Sequence, residues 1–265
     1  YEKTSKYQNI NQLLKNKSDR KVEDLMKINN DLYFEVVKGN NPNLDQTYKI
    51  LGGGSEIISN DDLYLLGLIF TDGWYHNEKN DKSSISISNS CTTLIENIIP
   101  LINNNRTPRF QLNSINDLTP SQSKVYPNAK PNYSIRVGSR YNNGGKFNLL
   151  KSLIYEGDIK SLNINLLSKL STTQFTAFVS GMIDGDGGVR GRFLSYCNYE
   201  NNIHKFHELL LWNGVYSTIE SNNTTLNIPY CNIFNNKEFI DNLNLKGYKK
   251  EQKENILEYF EFNNK

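Results

Sequence analysis

The sequence predicts an α+β protein assembled from two copies of one unit. Three observations carry that reading. The segments Gly67-Leu68-Ile69-Phe70-Thr71-Asp72-Gly73 and Gly181-Met182-Ile183-Asp184-Gly185-Asp186-Gly187 match at glycine, isoleucine, aspartate and glycine in one register. Asp72 and Asp186 lie 114 positions apart (186 − 72), the size of a small domain. After each segment, stretches of strand-like alternation and stretches of helical apolar spacing follow in corresponding places.

Residues 1–58 precede the first copy and form an extension of unassigned role. They read as short helices at Asn9–Lys15 and Lys21–Ile28, a strand at Leu32–Val37, a turn at Gly39–Pro42, and a hinge at Gly52-Gly53-Gly54. Charges of both signs mix here, so a basic arm is not indicated. No N-terminal nucleophile and no terminal His-Asn pair is present, which argues against self-splicing chemistry.

Each duplicated segment reads as a helix that delivers an aspartate. Ser59, Asn60 and Asp61 offer cap oxygens before Leu63-Tyr64-Leu65-Leu66, and Ser171, Thr172 and Thr173 do so before Phe175 and Ala177-Phe178-Val179. Gly73 and Gly187 stand where helices stop, and a left-handed C′ conformation is expected at both. Gly67 and Gly181 fall inside the helices, where glycine costs about 0.8–1.0 kcal/mol relative to alanine. Close approach of the two helices is the packing reason that would offset this cost.

Parallel packing of those helices brings Asp72 and Asp186 to the same end, at the negative poles of two helix dipoles. A carboxylate there is disfavoured by roughly 0.3–1 kcal/mol, and two adjacent carboxylates resist joint ionisation. A hard divalent cation relieves both conflicts. Oxygen-only ligands without a Cys/His cluster suit Mg²⁺ or Mn²⁺, and carboxylates holding such an ion make a phosphoryl-transfer site. A calcium loop at Asp184-Gly185-Asp186-Gly187-Gly188 is excluded, because glycine occupies the third ligand position and no glutamate follows at loop spacing.

The remaining elements follow in order. Ser83 to Ser88 alternates strictly, with Ile85 and Ile87 on one face and Ser84, Ser86 and Ser88 on the other. Thr92–Ile102 is a helix carrying Leu94, Ile95, Ile98, Ile99 and Ile102. Thr107–Leu112 sets Arg109 and Gln111 against Phe110 and Leu112, and Tyr133–Arg140 carries Ser134, Arg136 and, at its end, Arg140. A helix near Lys146–Ile154 closes the first copy. In the second copy Arg190, Arg192, Leu194 and Tyr196 mark the first strands, Asn201–Trp212 a helix, Tyr216–Glu220 and Thr224–Ile228 strands, and Lys237–Leu243 a final helix. Arginine and glutamine pair the edges of guanine and adenine. Each polar face, taken singly, reads as an ordinary solvated face of an antiparallel sheet before it reads as a functional one.

The windows Leu65-Leu66-Gly67-Leu68-Ile69-Phe70-Thr71-Asp72-Gly73 and Val179-Ser180-Gly181-Met182-Ile183-Asp184-Gly185-Asp186-Gly187 resemble the two signatures of a single-chain, two-repeat LAGLIDADG homing endonuclease, over about residues 59–260. The resemblance implies two αββαββα repeats related by a pseudo-twofold axis, with Gly67 and Gly181 at the helix interface and two antiparallel sheets forming a saddle over DNA. It divides the chain into 1–58, a first repeat at 59–158, a linker at 159–170 and a second repeat at 171–265. Asp72 and Asp186 are implied as catalytic, metal-binding carboxylates, with backbone near Thr71 and Gly185 contributing. Phe70 departs from the signature at a position that is not the catalytic one. Lys160, in the segment before the second signature, matches the family's active-site lysine; a solvated linker lysine is the plain alternative. Lys246, Lys249 and Lys250 are equal options in the second repeat.

The function so implied is metal-dependent, site-specific hydrolysis of both strands of a long, asymmetric double-stranded DNA target, by a monomer using Mg²⁺ or Mn²⁺. Ser84, Ser86, Ser88, Arg109, Gln111, Arg136, Arg140, Arg190, Arg192 and Tyr196 are the candidate DNA-binding residues. The alternative on the same scaffold is an RNA maturase, with intron RNA as partner, or a DNA-binding regulator without cleavage. An unrelated two-domain enzyme would leave Gly67 and Gly181 apart.

Composition bounds rather than points. The 265 residues carry 30 basic and 28 acidic side chains, a net charge of +2, so nucleic-acid binding must rest on local distribution. No apolar run reaches the roughly 20 residues of a membrane span. Three scattered cysteines, Cys91, Cys197 and Cys231, fit reduced thiols in an intracellular protein better than disulfides or zinc. His204 and His207 share a helix face and read as surface or groove residues. Richness in Asn, Lys and Ile suits an AT-rich genome such as a mitochondrion's.

Overall fold

The computed structural model describes residues 32–37, 47–52, 56–57, 59–76, 84–103, 112–118, 132–138 and 150–263. The strand expected at Leu32–Val37 is β1, which pairs antiparallel with β2 (Thr47–Gly52) and β3 (Glu56–Ile57) in a sheet ordered β2-β1-β3. The helices expected at Asn9–Lys15 and Lys21–Ile28 and the turn at Gly39–Pro42 lie outside the described residues.

The first repeat runs α1 (Asn60–Asp72), β4 (Gly73–His76), β5 (Ser84–Asn89), α2 (Thr92–Asn103), β6 (Leu112–Leu118), β7 (Asn132–Gly138) and a helical stretch at 150–154. The second runs α4 (Thr172–Asp186), β10 (Gly187–Arg190), β11 (Phe193–Cys197), α5 (Glu200–Trp212), β12 (Thr218–Ile219), β13 (Thr225–Pro229) and α6 (Asn236–Asn242). Both therefore follow αββαββα. Their antiparallel sheets have the same strand order, β4-β5-β7-β6 and β10-β11-β13-β12. The segment between the repeats is structured, with a hairpin of β8 (Tyr155–Glu156) and β9 (Ile159–Lys160) and a short helix α3 (Ile164–Leu167). A last helix, α7 (Lys249–Asn263), follows α6.

Local chemistry sets the helix boundaries. Ser59 Oγ accepts from the Asp62 amide at 3.1 Å to start α1, and Ser171 forms a reciprocal capping box with Gln174 to start α4. The expected left-handed glycines are corrected. Gly73 has φ −93° and ψ 155°, and Gly187 has φ −80° and ψ 172°, both extended. Glycine is needed there for space instead, because a Cβ would stand 2.5 Å from the Ile69 carbonyl oxygen and 2.6 Å from that of Ile183. Each helix thus turns directly into a strand. The strand expected over Thr107–Leu112 is also shifted: β6 begins at Leu112, and residues 104–111 are outside the described set.

The core lies where α1 and α4 meet each other and the inner faces of the two sheets. Every α1 residue from Asp62 to Phe70 is buried, as suits a central helix apolar on all sides. Ile87 and Ile135 cover it from one sheet, and Leu194, Tyr196, Leu226 and Ile228 are fully buried beneath the other.

Candidate active site at the paired helix ends

The helices touch backbone to backbone. A Cβ on Gly67 would fall on the carbonyl oxygen of Phe178, and one on Gly181 would fall on that of Tyr64. The contacts are reciprocal, since Tyr64 and Phe178 are themselves 114 positions apart (178 − 64). This removes the reading in which the two glycines stay apart. One turn further, Gly185 packs on the Thr71 side chain, and a Cβ there would stand 3.4 Å from Asp72 Cγ. Asp72 thus lies against the α4 backbone one residue before Asp186.

The two carboxyls feel this crowding. Burial pushes Asp72 up to about 6; the Asn89 amide, donating to Asp72 Oδ2 at 2.5 Å, opposes the rise, the Asp186 charge adds to it, and the ammonium groups of Lys249 and Lys160 oppose it. Asp186 is open to solvent on one side, yet enough protein surrounds its carboxyl to raise its pKa against the pull of Lys249 and Lys160.

Each helix end also holds a lysine. Lys160, on β9, donates from Nζ to the Thr71 carbonyl at 3.1 Å. Its hairpin is fixed to α5, because Asn202 donates to the Lys160 carbonyl at 3.3 Å and Lys205 reaches Glu156 at 3.1 Å and Ser161 Oγ at 2.6 Å. Lys249, at the start of α7, donates to the carbonyls of Ile183 at 2.9 Å, Asp184 at 2.8 Å and Gly185. Ammonium groups at helix C-termini satisfy orphan carbonyls and offset the dipole. Burial lowers the pKa of both lysines, and the neighbouring aspartates hold it up. Among the three second-repeat options, only Lys249 occupies this place. The Lys246 ammonium lies 5.2 Å from the Tyr64 ring centroid, and Lys250 is exposed.

Asp184 serves packing. It is buried and accepts from Tyr64 Oη at 2.6 Å, the Lys246 amide at 2.6 Å and the Gly247 amide at 3.2 Å. The positions related to this pair by the repeat are Phe70 and Phe178, both buried.

The expected sheet-face residues divide. In β5, Ile87 is buried while Ser86 and Ser88 are partly exposed, so the alternation holds; Ser86 pairs in register with Arg136 and Ser84 with Gly138. Arg109, Gln111 and Arg140 lie outside the described residues. Arg190 is exposed, 4.0 Å from Glu220, and Arg192 sits in the β10–β11 turn over the Phe193 ring. Tyr196 is corrected: it is fully buried, packs edge-on against Phe206 at 5.1 Å between centroids and accepts from Asn198. It shares the inward parity of Leu194. His204 lies 3.8 Å from Glu200 on the surface, and His207 Nδ1 is 2.7 Å from Ser217 Oγ.

A cavity of about 940 Å³ opens beside the carboxylates, bounded by Thr71, Asp186 and Lys160 and walled by Trp74 and Tyr199. The carboxylate pair fits a hard cation. Its donors are oxygen alone, burial strips both carboxylates of hydration that a cation would replace, and Mg²⁺ characteristically takes one or two protein carboxylates and completes its shell with water and phosphate oxygens. No cluster of three or more His, Cys, Asp or Glu suited to a metal occurs among the described residues. The carbonyls of Thr71 and Gly185 are engaged by lysines, although a carbonyl oxygen has a second lone pair.

No family model matches the sequence, and no curated protein matches it. Solved structures do. The homing endonuclease I-DmoI, in a study of its mesophilic variants, is 17% identical with a TM-score of 0.47, over 69% of this chain and 94% of that one. I-WcaI bound to its DNA recognition sequence is 12% identical, TM-score 0.46, over 69% and 78%. The LAGLIDADG meganuclease I-AabMI bound to uncleaved DNA is 11% identical, TM-score 0.43, over 76% and 90%. The chain is thus similar to LAGLIDADG homing endonucleases in coarse shape and at low identity.

Proposed function

We propose that this chain is a LAGLIDADG-type endonuclease that hydrolyses both strands of a long, asymmetric double-stranded DNA target as a monomer. The observation that carries the reading is the reciprocal glycine contact that sets Asp72 and Asp186 side by side, with a lysine at the end of each helix. Asp72 and Asp186 would hold Mg²⁺ or Mn²⁺, which supplies Lewis-acid polarisation of the phosphate and a more acidic attacking water. Asn89 orients the Asp72 carboxylate. Lys160 and Lys249 place positive charge where phosphate charge develops during attack, and their lowered pKa values make proton donation to a leaving oxygen less costly. Ser84, Ser86, Ser88 and Arg136 from one sheet, and Arg190 and Arg192 from the other, contact the duplex. Base-edge contacts and the bend between half-sites share the specificity.

A pooled library of double-stranded DNA incubated with Mg²⁺ tests this. Wild type is expected to cut both strands of a recoverable sequence, while Asp72→Asn and Asp186→Asn bind it and lose double-strand cleavage. Binding without cutting by every form would leave a regulator or maturase on this scaffold and overturn the nuclease.

A further inference from the structure

Two large rings stand in water beside the carboxylates. Trp74, on β4, is 67% exposed and Tyr199, at the N-cap of α5, is 82% exposed, yet both line the same cavity as Asp186 and Lys160. Neither stacks on another ring among the described residues. Exposed rings of this size, gathered at one concavity, mark a binding surface. On the other flank the positions that the repeat relates to this pair hold no ring, and the exposed ring among the described residues there is Tyr248, 52% exposed, with the Lys249 ammonium 5.8 Å from its centroid. The repeat relates Trp74 to Gly188, where an added Cβ meets nothing within 4 Å, and Tyr199 to the Ser90–Cys91 segment, by the pairings of Gly73 with Ile87 and Gly187 with Tyr196.

Resting on the nuclease reading, we propose that Trp74 and Tyr199 form a stacking platform for one unstacked DNA base, next to the scissile phosphate on this flank and therefore on one strand only. Aromatic faces bind any base by stacking. The cavity exceeds the roughly 300 Å³ at which small-molecule pockets begin, so it receives a base instead of merely offering a wedge to the duplex. Unstacking costs least at flexible or weakened steps, so this flank favours such a step and the strands are nicked at unequal rates.

Strand-resolved nicking of the recovered target in Mg²⁺ tests the platform. Both rings are exposed, so Trp74→Ala and Tyr199→Ala leave the fold intact. Each is expected to slow nicking of the same single strand by about 5- to 100-fold and to leave the other strand unchanged. Trp74→Phe and Tyr199→Phe, which keep a ring, recover most of the rate. An abasic nucleotide at one position beside that strand's scissile phosphate erases the difference between wild type and the alanine variants. Equal slowing of both strands, slowing of different strands, or a penalty that survives every abasic substitution overturns the platform. If wild type cuts and the alanine variants cut equally well, the platform alone fails; if wild type cuts no DNA, the nuclease reading fails and the platform falls with it.

Discussion

Burial gives the Asp72 carboxylate a stability cost. In the folded chain it holds its proton to about 6, whereas the unfolded chain releases it near 3.8. The native state therefore binds more protons in that window, and this group's contribution falls as pH rises from about 4 to 6 and is level outside it. In EDTA, Asp72→Asn is expected to be more stable than wild type above pH 6 by about 1–3 kcal/mol, with the gain vanishing below pH 4. Thermal unfolding across pH checks this, and Mg²⁺ should narrow the difference by stabilising wild type alone. The two carboxylates were legible in the sequence because glycine and aspartate repeat in register. The second lysine was not. Lys246, Lys249 and Lys250 are near neighbours in the chain, and only the path of α7 selects Lys249, whose acceptors lie 64 to 66 positions away. Tyr196 differs for a simpler reason: it stands with Arg190 and Arg192 among the candidate DNA-binding residues, while its two-residue spacing from Leu194 already places it inward.

At the level of elements, the contact between α1 and α4 opposes two effects of one substitution. Gly67→Ala or Gly181→Ala gains about 1 kcal/mol of helix propensity. The added methyl, however, falls on a backbone carbonyl that has no rotamer by which to yield. Overpacking wins, and a net loss of about 1–3 kcal/mol is expected in urea titrations, whereas Gly188→Ala should stay within about 0.5 kcal/mol. The lysines differ in the same way. Lys249→Met removes an ammonium that bonds three carbonyls, of which that of Ile183 keeps the Gly187 amide, and should cost about 1–3 kcal/mol, while Lys160→Met removes one such contact, so its larger effect should fall on the cleavage rate. Helix α7 itself escaped the sequence reading. Its buried stripe is Lys249, Lys253 and Ile256, and Lys253 donates to the carbonyls of Asp241 at 3.0 Å and Leu243 at 2.8 Å. A helix that buries lysines to plug other elements hides its spacing from any search for apolar residues.

The whole molecule shares one core between its repeats, so neither half keeps its central helix covered alone. The two tryptophans report this, Trp74 from the first repeat and Trp212 from the second. Trp74→Phe and Trp212→Phe leave one reporter per half, and the two fluorescence transitions in denaturant are expected to coincide; separate midpoints would mean separable domains. The repeated architecture was readable because both sheets obey one alternation and both helices one signature, whereas the close-packed joint needed coordinates to turn two glycines into a measured contact. That joint also records which halves belong together. Tyr64 meets Asp184 across it, while the mirrored positions hold Phe178 and Phe70. If two copies of the chain swapped partners like for like, one seam would leave Asp184 with its Lys246 and Gly247 amide donors but without the phenol, and the other would bury a phenol hydroxyl that has lost its acceptor, at a cost of about 1–3 kcal/mol. The unlike seam is therefore expected to favour a chain closed upon itself over one that trades halves with a neighbour.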